Sequence, residues 1–109
     1  MKRFRVDDLA STPLSGHILD GILDGARLYK GGVSFHEPGH VSHRDERPHV
    51  ETDEEAFILL QGRGWIEIDG VREPAAAGEV LVIEPGEDHH LISSEEEPFV
   101  NLWLHARNT

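Results

Sequence analysis

At 109 residues the chain has room for one hydrophobic core and too little for two. Twenty-one acidic against ten basic residues give a formal charge of −11, which argues against nucleic acid or an anionic membrane surface as partner, since both select for lysine and arginine. Without cysteine there are no disulfides or thiolate zinc sites, and no apolar stretch approaches the roughly 20 residues of a membrane span.

The start, Met1 to Asp8, is basic at first but has no apolar region behind it, unlike a signal peptide, and this points to a cytoplasmic protein. The one helix candidate is a turn near Asp7 to Ala10, ended by Thr12-Pro13. Ile18-Leu19-Asp20-Gly21 and Ile22-Leu23-Asp24-Gly25 are a local duplication. They are too short for a repeat architecture, whose periods are about 20 residues or more, and read as adjacent turns before the first long strand. From there turn signals recur at Gly31-Gly32, Pro38-Gly39, Asp69-Gly70, Pro85-Gly86 and Glu97-Pro98, with strand-length runs between them. Trp65 to Ile68, then Asp69-Gly70, then Val71 to Glu73 spell a tight hairpin. Val80 to Ile83 is a continuous apolar run, as expected of a strand buried on both sides. Glu95-Glu96-Glu97 reads as a solvated loop closed by Pro98. In the last run Val100, Leu102, Leu104 and Ala106 alternate with Asn101, Trp103 and His105. Many short strands with Gly/Pro turns predict an all-β sandwich or small barrel.

Metal-type ligands gather in two of these segments. His49 and Glu51 are two apart, so in a strand they share a face, roughly 6–7 Å apart. Glu55 follows a short acidic loop, and His89 comes from a distant hairpin that only a closed fold could bring alongside. Two imidazoles and a carboxylate with open positions form the ligand set of a mononuclear, non-haem metal site. Fe(II), Mn(II), Ni(II), Co(II) and Zn(II) all suit it. His36, His40 and His43 have helical spacing, but Pro38-Gly39 interrupts it. His43 could supply a further imidazole if the loop from Arg44 to Pro48 folds back; a place at a pocket rim is the other reading. Strand alternation turns His90 away from His89, to the outside. His105 shares a side with Trp103, either as a polar wall near a substrate or as a subunit contact. Arg27, Tyr29, Lys30, Arg63 and Arg72 could anchor a substrate carboxylate, although surface placement is the commoner fate of such residues.

These residues resemble the cupins, small β-barrels with two sequence motifs separated by a variable hairpin. His49, Glu51, Glu55 and Gly62 fall on the first motif, with Glu51 in the place of its second histidine and His43 in that of its first glycine. Gly78, Gly86 and His89 fall on the second, where Glu84 replaces a proline and Ser93 an asparagine. The resemblance covers about residues 27 to 106. It also extends to the hydroxyanthranilate dioxygenase-like cupins, which lack the second histidine and hold iron at the spacing of His49, Glu55 and His89.

The resemblance implies a jelly-roll barrel of two antiparallel sheets, one domain over residues 1–109, with a divalent transition metal on His49, Glu51, Glu55 and His89. Glu51 would be a fourth ligand, a base behind the ligands, or a group turned away. The pocket would lie inside the barrel, walled by Phe57, Leu59, Ile66, Leu91 and Leu102 or their opposite-face neighbours. The implied activity is that of a metal enzyme, dioxygenase- or isomerase-type, on a small organic molecule; the alternative is a non-catalytic module that holds a metal or metabolite. A homodimer is expected, since small open sheets leave strand edges to cover.

Overall fold

The structure, a computed structural model, describes residues 1–10, 22–25, 27–43, 45, 48 and 50–108. Thr12-Pro13 and the first of the two Ile-Leu-Asp-Gly tetrads lie outside the described residues. Among the described residues, eight strands and one short helix run in the order β1 (Lys2–Arg5), α1 (Val6–Ala10), β2 (Arg27–Phe35), β3 (Glu54–Gln61), β4 (Arg63–Ile68), β5 (Val71–Ala76), β6 (Glu79–Ile83), β7 (His89–Ser93) and β8 (Val100–Arg107). They form two antiparallel sheets, one of order β1-β6-β3-β8-β2 and one of order β5-β4-β7. This is the expected all-β jelly-roll barrel, with an edge strand, β1, for which the sequence carries no distinct signal.

Turn chemistry sets the register. Asp69 and Gly70 both take positive φ, 48° and 83°, and join β4 to β5 in the two-residue hairpin that pairs Ile68 with Val71. Pro74 lies opposite Trp65 on β5, an edge strand, where a missing N–H does least harm. Gly62, at φ 91°, passes so close to the Pro98 carbonyl that a Cβ would stand 2.3 Å from it. Only glycine fits that crossing.

Apolar residues fill both faces of the five-stranded sheet. Its inner face meets the three-stranded sheet around Phe57, Leu59, Leu81, Ile83, Ile66, Leu91 and Phe99. The outer face carries a second cluster, in which Ile22 and Leu23 cover Ala56, Val80, Val82 and Ala106, with Phe4 and Ile58 packed alongside. β6 contributes to both, so Val80 to Ile83 is buried along its length, as its unbroken apolar run predicts.

This double-sided burial corrects one expectation. Leu102 is not a pocket wall: β8 presents Asn101, Trp103 and His105 inward, and Leu102 pairs with Ile58 of the outer cluster. His90 is corrected too. It points away from His89 but is fully buried, with the segment around Val41 and Ser42 hydrogen-bonded along the free edge of β7. Its Nδ1 donates to the Ser42 carbonyl at 2.9 Å and its Nε2 sits 2.7 Å from Asp88 Oδ1.

Candidate metal centre

Three strands aim polar groups at one point inside the barrel. Glu55 lies at the start of β3 and stands directly opposite His105 on β8, so both side chains turn inward as a cross-strand pair. His89 opens β7 on the facing sheet. The Glu55 carboxylate bridges the two rings: Oε1 lies 3.0 Å from His89 Nε2, and Oε2 lies 3.1 Å from His105 Nε2. All three residues are buried.

The other ring nitrogens are held as well. His89 Nδ1 donates to the Glu87 carbonyl at 3.0 Å, and His105 Nδ1 lies 3.0 Å from Asp53 Oδ1. Asp53 accepts a hydrogen bond at its other oxygen from the Tyr29 hydroxyl. Burial alone would lower both imidazole pKa values, but the bond to Glu55, backed by the Glu87 carbonyl for His89 and by Asp53 for His105, leaves each raised. Burial likewise opposes ionisation of Glu55, yet the hydrogen bonds from His105 and His89 hold its pKa at about 2. In this form the carboxylate is clamped between two imidazoles that favour protonation.

Glu51 approaches from the segment before β3. Its carbonyl accepts the Gly86 N–H at 3.0 Å, so the turn of the second motif fixes the first. One oxygen of Glu51, one of Glu55 and one nitrogen of His105 lie within 4.8 Å of one another. Ligand atoms sharing one ion with bonds of about 2.1 Å lie at most about 4.2 Å apart, so this group is near ligand spacing. His49 lies outside the described residues. Of the four predicted ligands, Glu55 and His89 are therefore in contact, and Glu51 stands beside Glu55. For His105 the sequence offers two readings, polar wall or subunit contact, and the structure puts it at the centre.

A cavity of about 340 Å³ opens onto this cluster. Phe57, Trp103 and Leu91 give it apolar walls, while Lys30, Ser34 and Asn101 supply polar groups from β2 and β8. His36 and His43 also line it, His43 with its ring 6.3 Å from that of His89. His36 Nε2 sits 2.6 Å from Asn101 Oδ1. Of the cationic candidates, Lys30 lines the cavity, whereas Arg63 pairs with Glu96 and Glu97 and Arg72 with Glu67 at the surface.

The departures from the family motifs have local explanations. His43 adopts φ 53°, the left-handed backbone that the motif's glycine would supply. Ser93 is buried, and its hydroxyl accepts the Phe99 N–H at 3.1 Å, tying β7 to the entrance of β8.

The fold and site define a class: a small two-sheet β-barrel with a carboxylate–imidazole cluster at the base of an interior cavity. Residues 37–105 match the family model described as Cupin domain, and the chain belongs to the cupins. Among solved structures it is similar to a cupin 2 conserved barrel domain protein from Salinispora arenicola, at 26% identity and TM-score 0.62, covering 87% of this chain and 86% of that one. It is also similar to the plu4264 protein of Photorhabdus luminescens, at 26% identity and TM-score 0.62, covering 70% of this chain and 60% of that one. The cupin protein BF4112 of Bacteroides fragilis shares the fold at 24% identity and TM-score 0.55, covering 71% of this chain and 62% of that one. The chain thus spans less than two thirds of the length of the Photorhabdus and Bacteroides proteins. No curated protein matches it. No helix among the described residues is long and apolar enough to cross a membrane.

Proposed function

We propose that this cupin holds a divalent transition metal ion at Glu51, Glu55 and His89, to which the first motif adds His49, and acts on a small organic molecule bound in the cavity above it. The observation that carries this reading is the Glu55 carboxylate between two buried imidazoles whose Nδ1 atoms are both engaged elsewhere. With Nδ1 engaged, a neutral ring would offer Nε2 to a metal, and oxygen and imidazole donors suit first-row divalent ions. Such an ion, when bound, would polarise a ligand oxygen as a Lewis acid or carry dioxygen, which is the chemistry of the dioxygenase- or isomerase-type activity proposed here.

The chain's own residues would select and orient the substrate. Phe57 and Trp103 offer flat apolar faces, and Asn101 and Ser34 offer hydrogen bonds. Lys30, on the cavity lining in a protein of charge −11, suits an anionic group on the substrate. Exposed Val33 and Phe35 alternate onto the outer side of β2, beside Leu102 of β8, and support pairing of two copies through that face.

The test is elemental analysis of protein purified without a histidine tag, followed by oxygen-uptake and isomerisation screens on small aromatic acids, diketones and keto acids. Metal near one equivalent with turnover of one class is the expected result. Metal-free protein that takes up none of the five ions would overturn the metal reading, and loaded protein inert on every class would overturn the enzyme reading.

A further inference from the structure

We propose that His105, on the last strand, supplies the imidazole that the first motif lacks at Glu51, and that Asp53 and Tyr29 are positioning residues that hold it there. The inference rests on the metal-binding reading above and concerns a ligand outside both motifs.

Position comes first. His105 pairs directly with Glu55 in the β3–β8 register, on the inner face. Its Nε2 is 3.1 Å from Glu55 Oε2, and it belongs to the group in which Glu51, Glu55 and His105 each offer an atom within 4.8 Å of the others. Two carboxylate ligands would balance the charge of a dication, so His105 would complete the set as a neutral imidazole.

Orientation is the second part. Asp53 precedes β3 by one residue, and its Oδ1 lies 3.0 Å from His105 Nδ1. A carboxylate can only accept, so it fixes the proton on Nδ1 and leaves the Nε2 lone pair for a metal. Carboxylate–histidine–metal triads work this way, and losing the carboxylate typically costs 10–100-fold in metal affinity. The carboxylate is itself steadied: Tyr29 donates its hydroxyl to Asp53 Oδ2, and the Arg107 guanidinium lies 3.9 Å above the Tyr29 ring. Trp103 and Tyr29 meet the His105 ring edge-on, at 5.7 and 6.1 Å between centroids. The ring is therefore held from its far nitrogen and from two sides, while its near nitrogen faces the carboxylates. His89 has the matching arrangement through the Glu87 carbonyl.

Co(II) binding to the metal-free protein tests this, with affinity read by chelator competition and ligand geometry by the visible absorption of the bound ion. His105→Ala is expected to weaken Co(II) binding more than Asp53→Ala does and to change the visible spectrum. Asp53→Ala should lose about 10–100-fold; Asp53→Asn, whose amide oxygen can still accept from Nδ1, should recover part of the affinity and keep the wild-type spectrum. Tyr29→Phe should lose less, in the same direction. In the His105→Ala background, Asp53→Ala should add no further loss. His105→Gln stands in if His105→Ala does not fold, with the same loss expected. Wild-type affinity and spectrum in the folded His105 variant would overturn the assignment while leaving the metal reading intact. An undiminished Asp53 effect without His105 would overturn the positioning role. A wild-type protein that takes up no Co(II) would overturn both.

Discussion

β3 has two neighbours, and its inner face differs sharply on the two sides. Towards β6, Glu55 and Phe57 stand opposite Ile83 and Leu81, and the contact is dry. Towards β8, the same two residues stand opposite His105 and Trp103, and the cavity opens. One strand therefore serves as the boundary between a packed core and a polar site. The dry side fixes where the Glu55 backbone sits; the polar side decides what its carboxylate does. Stability and chemistry should consequently respond to different substitutions only a few ångströms apart.

The largest expected effect is on the polar side. Glu55→Ala should reduce metal affinity by more than about 100-fold, beyond the range for groups that merely support ligands, and His89→Ala should do the same. Folded protein from either variant that retains wild-type metal content by elemental analysis would show that the clamp is not the metal centre. Next comes the dry side: Leu81→Ala should cost about 2–5 kcal/mol in denaturant unfolding, as for other fully buried leucines, with metal bound per folded molecule unchanged. A loss of metal affinity there would mean that the two sides are coupled.

A pH experiment compares them within one protein. In the metal-free form the raised pKa values of His89 and His105 contribute stability below the unfolded histidine value of about 6.5, and this is lost as pH rises through the raised folded values. Glu55, held at about 2, contributes stability above the unfolded value of about 4.5, lost as pH falls towards 2. The melting temperature of metal-free protein should therefore peak in the weakly acidic window between about 4.5 and 6.5. Glu55→Gln should flatten that profile and Leu81→Ala should only lower it. The smallest effect is expected at the surface. Arg63→Ala breaks exposed pairs with Glu96 and Glu97 and should change stability by no more than about 1 kcal/mol, with metal affinity untouched.

The dry side is the more legible of the two in the sequence. Val80 to Ile83 announces a strand buried on both faces, and Asp69-Gly70 announces its hairpin, because each rests on local chemistry. The motif spacing singles out Glu55 and His89, whose contact depends on the closure of the barrel. The phase of β8 resists such reading. Its apolar set, Val100, Leu102, Leu104 and Ala106, looks like a core face, yet the residues that line the cavity are the polar and aromatic ones. Alternation identifies two faces but not which of them is the interior, and here the outer face has a core of its own under Ile22 and Leu23. His90 misleads for the same reason, since a face turned from the cavity need not be open to solvent. Asp53 gives no signal, because an acidic residue in an acidic loop reads as solvated until its partner on β8 is known.

The irregularity in β2 has a consequence for how this chain tolerates insertions and deletions. Register passes from Leu28 opposite Ala106 to Lys30 opposite His105, so Tyr29 is an extra residue relative to its partner strand. The bulge absorbs that residue: downstream of it Lys30, Ser34 and His36 reach the cavity, while the extra residue itself reaches Asp53. Deleting Tyr29 would leave Leu28 opposite Ala106 and Lys30 opposite His105 in an unbroken ladder, losing the contact with Asp53 but not the inward phase of Lys30, Ser34 and His36. Deleting one residue between Lys30 and Ser34 would instead turn Ser34 and His36 to the far side of the sheet. The length of β2 beyond the bulge is thus as much a specification of the cavity as the identity of any residue in it, and single-residue deletion should be far less tolerated there than at Tyr29 or in the solvated Glu95–Glu97 loop.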